Sequence, residues 1–176
     1  MAQLTSVTPL NAALFSGLVS SSYFFFGGVG IANVGIMPAI TDPAGAKLAV
    51  SQKVALQSWN YDVGKWHMGG AIVATVVSLS TAALLAPSRA LALPAAGAAL
   101  LASLIIPWTA LLMGPVNDAI GELAQTRVLE TAGPDRAVLE EGALALIYKW
   151  RRLHRVRIAV GASAWVGALI AFTGGL

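Results

Sequence analysis

The sequence predicts an all-α membrane protein, a four-transmembrane-helix bundle with amphipathic or polar helical connections on one face. Three observations carry this. Of 176 residues, 57% are apolar and only 11% are charged, where a soluble domain carries about a quarter charged residues. The charges are also segregated. None precedes Asp42, and three further charge-free blocks run from Trp66 to Ser88, Ala90 to Asn117 and Ile158 to Leu176, each long enough to cross ~30 Å of hydrocarbon. Finally, ten of the eleven Lys and Arg residues fall in two connections. Lys47, Lys53 and Lys65 lie between the first and second blocks, and Arg127, Arg136, Lys149, Arg151, Arg152, Arg155 and Arg157 between the third and fourth. In a four-span chain both connections emerge on one side, which leaves one chemically equipped face and one bland face.

A single integral membrane domain is expected over residues 1–176, with spans at about 10–36, 62–86, 90–117 and 150–172. In lipid every backbone polar group must be satisfied internally, which in Ala-, Leu- and Gly-rich stretches means helix. The first block lacks a basic leader and a clear cleavage site, so it reads as a retained span. Gly27, Gly28 and Gly30 follow its Phe24-Phe25-Phe26 run, a small-residue face that lets helices approach closely, in a homomeric contact as readily as an internal one. Pro38 and Asp42-Pro43 should end span 1. From Ala44 to Trp59, Leu48, Val50, Val54 and Leu56 interleave with Lys47, Gln52, Lys53 and Gln57, the pattern of a short interfacial helix. Span 2 then begins near Asp62, and Pro87-Ser88-Arg89 turns directly into span 3. Pro107 predicts a kink within span 3. The polar stretch from Asp118 to Tyr148 is helical in pattern and broken at Gly133-Pro134. Span 4 is expected to begin near Ala137 and run unbroken to Phe172, which places Trp150, His154 and Arg157 on one stripe. The positive-inside rule puts the basic connections in the cytosol, and an endomembrane such as the endoplasmic reticulum is the expected location.

Composition excludes several classes of function. With no cysteine there is no disulfide, thiolate or iron–sulfur chemistry. The basic residues form no patch interleaved with aromatics on a soluble fold, so nucleic acid is not an expected partner. No phosphate loop, dinucleotide fingerprint or nucleophile elbow is present, and no charge lies mid-span to serve an ion pump. The two histidines, His67 and His154, have no metal-binding spacing. A metal site would need a carboxylate such as Asp62 or Asp118 beside them, and that alternative stays open.

The residues that could carry chemistry gather at the basic face: His67 at the start of span 2, Asn117 at the end of span 3, and Trp150, His154 and Arg157 at the start of span 4. Trp59, Tyr61 and Trp66 join them from the first connection. A four-helix bundle brings these helix ends within roughly ten ångströms of one another, where they could line a pocket for an apolar, planar molecule arriving from the lipid. Each also has a plainer reading. The aromatics could form an interfacial belt, Arg151, Arg152 and Arg155 could set topology against lipid phosphates, and Asn117 could cap a broken helix end. Asn33 in span 1 suits an interhelical hydrogen bond. Arg157 lies deepest, and a basic residue there needs a partner or a cavity.

Three segments resemble the small four-span anthrone oxygenases of fungal aromatic polyketide pathways and their relatives: Gln57 to Lys65 with its Trp59-Asn60-Tyr61, Pro107 to Asp118 with its Pro115-x-Asn117, and Tyr148 to Arg157 with its Trp150-x3-His154-x2-Arg157. The resemblance implies oxidation of an anthrone to an anthraquinone by molecular oxygen without an organic cofactor. On this reading His154 is the base. Arg157 and Asn117 stabilise the enolate or peroxide oxygen, and Trp150 and Trp59 stack on the tricycle. Tyr61, His67 and Asn33 complete the expected substrate-binding set, although His67 has no role carried over from the family. Readings outside the resemblance are a non-catalytic tetraspan scaffold and a carrier of lipophilic small molecules.

Overall fold

A computed structural model describes residues 8–41 and 47–175. Its elements are α1 (Pro9–Asn33), α2 (Ile36–Thr41), α3 (Val50–Leu85), α4 (Arg89–Trp108), a π-helical turn (Thr109–Met113), α5 (Gly114–Thr126), α6 (Val128–Thr131) and α7 (Arg136–Gly174). No strand occurs among the described residues. Four stretches are long and apolar enough to cross a membrane: Pro9–Thr41, Val50–Leu85, Arg89–Thr126 and Arg136–Gly174. The chain is an integral, multi-pass, all-helical membrane protein.

These stretches have 33 to 39 residues, well beyond the ~20 that a bilayer requires. Relative to the expected spans, the excess lies at the ends that carry the basic connections. α3 begins at Val50, twelve residues before Asp62, so the short interfacial helix and span 2 are one rod. The reason is local. No proline occurs between Val50 and Leu85, and Gly64, Gly69 and Gly70 are tolerated inside a helix that long. Gln52 starts the rod by accepting the Ala49 N–H at 2.9 Å, the reach-back half of a capping box. The predicted Ala44 start and the Asp42-Pro43 stop lie outside the described residues. α7 runs unbroken from Arg136, as the sequence predicts, after the break at Gly133-Pro134. A second break, which no glycine or proline marks, separates α5 from α6. Arg127 sits between α5 and α6 in the left-handed region at φ 51°.

Pro107 takes effect one turn later than a simple kink. From Thr109 to Met113 the helix widens into a π turn, in which the Gly114 N–H bonds to the Thr109 carbonyl. Pro115 follows immediately, where it needs no N–H because α5 is only beginning. Such bulges recur at functional sites, and this one ends four residues before Asn117.

The described chain divides into two compact units, each drawing on all four long stretches. Unit 1 comprises residues 1–26, 70–106 and 159–176. It is held by small residues. Ala82, Ala95, Ala168 and Ala171 are fully buried, with Leu14 and Leu79 between them. A Cβ at Gly167 would come within 3.0 Å of the Ala98 Cβ and 3.4 Å of the Pro94 carbonyl, so α4 and α7 nearly touch backbones there. Hydroxyls join α1 to α3, Thr75 Oγ1 donating to Ser20 Oγ at 2.9 Å. Trp165 stacks on Phe25 with centroids 5.5 Å apart and donates its indole N–H to Ser22 at 2.9 Å.

Unit 2 comprises residues 27–69 and 107–158 and has larger side chains. Met37 and Ile40 of α2, Val54 of α3, Met113, Val116 and Ile120 around α5, Leu129 of α6, and Ala143, Ile147 and Trp150 of α7 form one buried cluster. The spacings 116/120 and 143/147/150 are those of one helix face. The same α7 stripe continues to His154.

Candidate functional site

On α7, offsets of four and three residues stack Trp150, His154 and Arg157 along one face, and the structure brings them into direct contact. The Trp150 and His154 rings stack with centroids 4.6 Å apart and planes inclined by 24°. Arg157 Nη2 lies 2.9 Å from His154 Nδ1, and His154 Nε2 lies 3.2 Å from the Gly28 carbonyl oxygen. A guanidinium can only donate, so Nδ1 is the acceptor and Nε2 carries the proton that bonds to Gly28. This fixes the tautomer of a neutral imidazole. Gly28 belongs here for steric reasons. A Cβ would lie 3.3 Å from the Ile158 Cγ1 and 3.8 Å from the His154 Cε1.

Asn117 joins from α5, positioned just beyond the π turn. Its Oδ1 accepts the Trp150 indole N–H at 2.8 Å. Trp150, His154 and Asn117 are respectively 3%, 1% and 6% exposed, so the interfacial-belt reading does not describe Trp150. Trp108, at the end of α4, donates its indole N–H to the Leu153 carbonyl at 3.4 Å and ties this end of α4 to α7. Tyr61 of α3 is half-buried.

The other sequence candidates lie elsewhere. Trp59 is 61% exposed and Trp66 77% exposed, and His67 is exposed as well. On a helix Trp59 points about 200° away from Gln57, whose face is buried. Asn33 makes no interhelical hydrogen bond among the described residues, because α1 ends at that residue and leaves it exposed. It instead borders a cleft of about 210 Å³ lined by Val29, Ala32 and Asn33 of α1 and by Arg151, His154, Arg155 and Ile158 of α7. Among the described residues no three His, Asp or Glu side chains come together to hold a metal ion.

One residue escaped the sequence reading. Gln57 is 1% exposed, and neither its Oε1 nor its Nε2 meets a hydrogen-bonding partner among the described residues. The signal was its spacing of three and four residues from Val54 and Tyr61 on one α3 face, hidden by placing it on the polar side of an interfacial helix.

A buried imidazole with a fixed tautomer, a guanidinium beside its lone pair, an indole held by a carboxamide and an adjoining cleft can bind an oxygen-bearing ring and move a proton. Neither a curated protein nor a solved structure matches the chain significantly. The sequence profile described as anthrone oxygenase matches residues 59–167. That range holds Asn117 and the whole Trp150–His154–Arg157 stripe, and it spans more than half of the sequence, so the chain belongs to the anthrone oxygenase family.

Proposed function

We propose that the protein is a membrane-bound oxygenase that converts the methylene of an anthrone-type aromatic polyketide to a carbonyl with molecular oxygen. The observation that carries this reading is the His154–Arg157 contact beside the cleft. The methylene of an anthrone is acidified by two aryl rings and the ketone across the ring, so removing one proton gives an electron-rich anthranolate. His154 has a single acceptor, Nδ1, which Arg157 occupies. When the substrate's ketone oxygen arrives, Arg157 transfers its N–H bond to that oxygen. This stabilises the charge developing there and leaves Nδ1 to take the methylene proton. The Gly28 carbonyl holds the other side of the imidazole throughout.

The anthranolate then passes one electron to oxygen. Recombination at the former methylene carbon forms the new C–O bond of a peroxide, and loss of water from it gives the quinone. One oxygen atom is retained and the other leaves as water. The substrate supplies every electron, so the balance calls for no external reductant. Asn117, through Trp150, holds the flat indole against His154 and so positions the base. On this reading the basic connections face the cytosol, in an endomembrane such as the endoplasmic reticulum.

The test is oxygen uptake and quinone absorbance with an emodin-type anthrone and the protein in nanodiscs, compared with empty discs. Turnover above spontaneous oxidation is expected, with a loss of at least about a hundredfold in His154→Ala and a comparable loss in Arg157→Ala. Helicity and thermal unfolding would verify that both variants are folded. Wild-type rates equal to those of empty discs, or unchanged rates in both variants, would overturn the proposal.

A further inference from the structure

The cleft beside His154 has a chemistry that oxidation of a neutral ring does not require. Its apolar lining is Val29 and Ala32 from α1 and Ile158 from α7. Two cations, Arg151 and Arg155, and the carboxamide of Asn33 also line it. Arg151 is half-buried and Arg155 exposed. Neither takes part in an ion pair or hydrogen bond among the described residues. Being four residues apart on a continuous helix, they stand one turn apart on one face. Arg152, between them in sequence, does not line the cleft.

Two guanidinium groups with no partner among the described residues, beside three apolar side chains, complement a flat hydrophobic body carrying an anionic group. Guanidinium is the side chain best matched to a carboxylate, which it binds through two parallel N–H bonds. The volume of about 210 Å³ is below the ~300–1,000 Å³ that encloses a drug-sized ligand. It therefore suits one substituted edge of a planar molecule while the rest extends beyond it. His154 lines the same cleft, so an acid held by Arg151 and Arg155 would keep its ring system next to the imidazole.

We infer that Arg151 and Arg155 form a carboxylate-binding subsite, and that the substrate is an aromatic acid, an anthrone bearing a carboxyl group. This rests on the oxygenase reading for the identity of the ring, whereas the subsite itself is defined by its charge and lining. The two arginines determine specificity and take no part in the chemical step.

Equilibrium dialysis separates this inference from the oxygenase reading because it needs no turnover. An anthraquinone carboxylic acid and its methyl ester would be partitioned against the full-length protein in zwitterionic nanodiscs, with empty discs subtracted. The acid is expected to bind about tenfold more tightly than the ester. Arg151→Gln and Arg155→Gln should each weaken that preference and the double substitution abolish it. Arg152→Gln, which removes an equal charge outside the cleft, should leave it intact. Arg151→Lys keeps the charge but not the planar fork, and should retain part of the preference in a protein whose folding is not in question. Equal binding of acid and ester would overturn the inference, even if the protein oxidises a neutral anthrone rapidly. So would a loss in Arg152→Gln as large as in Arg151→Gln, since only the general surface potential would then be acting. In discs containing phosphatidylglycerol, acid binding should persist; its complete displacement would assign the cleft to a lipid phosphate and overturn the carboxylate subsite.

Discussion

Gln57 places a carboxamide where both its oxygen and its nitrogen are buried without a hydrogen-bonding partner among the described residues. Each such group costs roughly 1–3 kcal/mol when left unsatisfied, whereas a thioether of similar length fills the same space at no such cost. Gln57→Met is therefore expected to raise stability by about 1–3 kcal/mol, read from thermal or denaturant unfolding in detergent. A lower midpoint would show that the amide is satisfied in the working protein. The Trp150–Asn117 bond calls for a different measurement, because removing either partner strands the other. A double-mutant cycle with Trp150→Phe and Asn117→Leu should return a coupling of about 1 kcal/mol, and additive losses would show that the 2.8 Å contact contributes nothing. At this scale the sequence was partly legible. Helical spacing alone aligned Trp150, His154 and Arg157. Their link to Asn117 depends on the register of α5 after the π turn, and the bond from His154 to Gly28 depends on a main-chain carbonyl, which no side-chain pattern marks.

The misjudged element is α3. A run that mixes Lys53, Gln57 and Asp62 with apolar residues reads as an interfacial helix followed by a span, because hydropathy changes near Asp62. Backbone conformation does not follow hydropathy, and with no proline the helix continues through the change. The same principle makes glycines in long helices unequal. At Gly64 nothing lies within 4 Å of an added Cβ, so Gly64→Ala should stabilise the protein by about 0.5–1 kcal/mol through backbone entropy alone. At Gly167 the added Cβ would meet the Ala98 Cβ at 3.0 Å and the Pro94 carbonyl at 3.4 Å, and backbone cannot yield as a side-chain tip can. Gly167→Ala should cost about 1–3 kcal/mol. An unfolding midpoint left unchanged or raised by Gly167→Ala would show that the packing described between α4 and α7 is wrong, and a lowered one for Gly64→Ala that the space beside Gly64 is filled.

At the scale of the whole molecule, the count of spans and the segregation of charge were readable without coordinates because both follow from the cost of placing charge in hydrocarbon. What hydropathy does not reveal is how far the helices run past the expected spans, and those extensions supply Met37, Ile40, Val54, Ile120, Ala143 and Ile147 to the apolar cluster of unit 2. Charge also fixes a testable topology. Ten of the eleven basic residues lie between the first and second or between the third and fourth charge-free blocks, in the first part of α3 or α7 or just ahead of it, and Arg89 alone lies at the other end, where α4 begins. The sequence has no cysteine, so single replacements report position without background. Asp135→Cys, in the turn before α7, and Ser88→Cys, in the turn before α4, both fall at exposed positions. If the basic connections face the cytosol, a membrane-impermeant maleimide added to sealed, cytosol-side-out vesicles should label Asp135→Cys at once, and Ser88→Cys only after detergent is added. The reverse pattern would invert the protein and put the Arg151–Arg155 cleft on the lumenal side. Labelling of both from outside would mean that the chain crosses the bilayer an odd number of times between residues 88 and 135 no longer, and the assignment of Arg89–Thr126 as a span would fail.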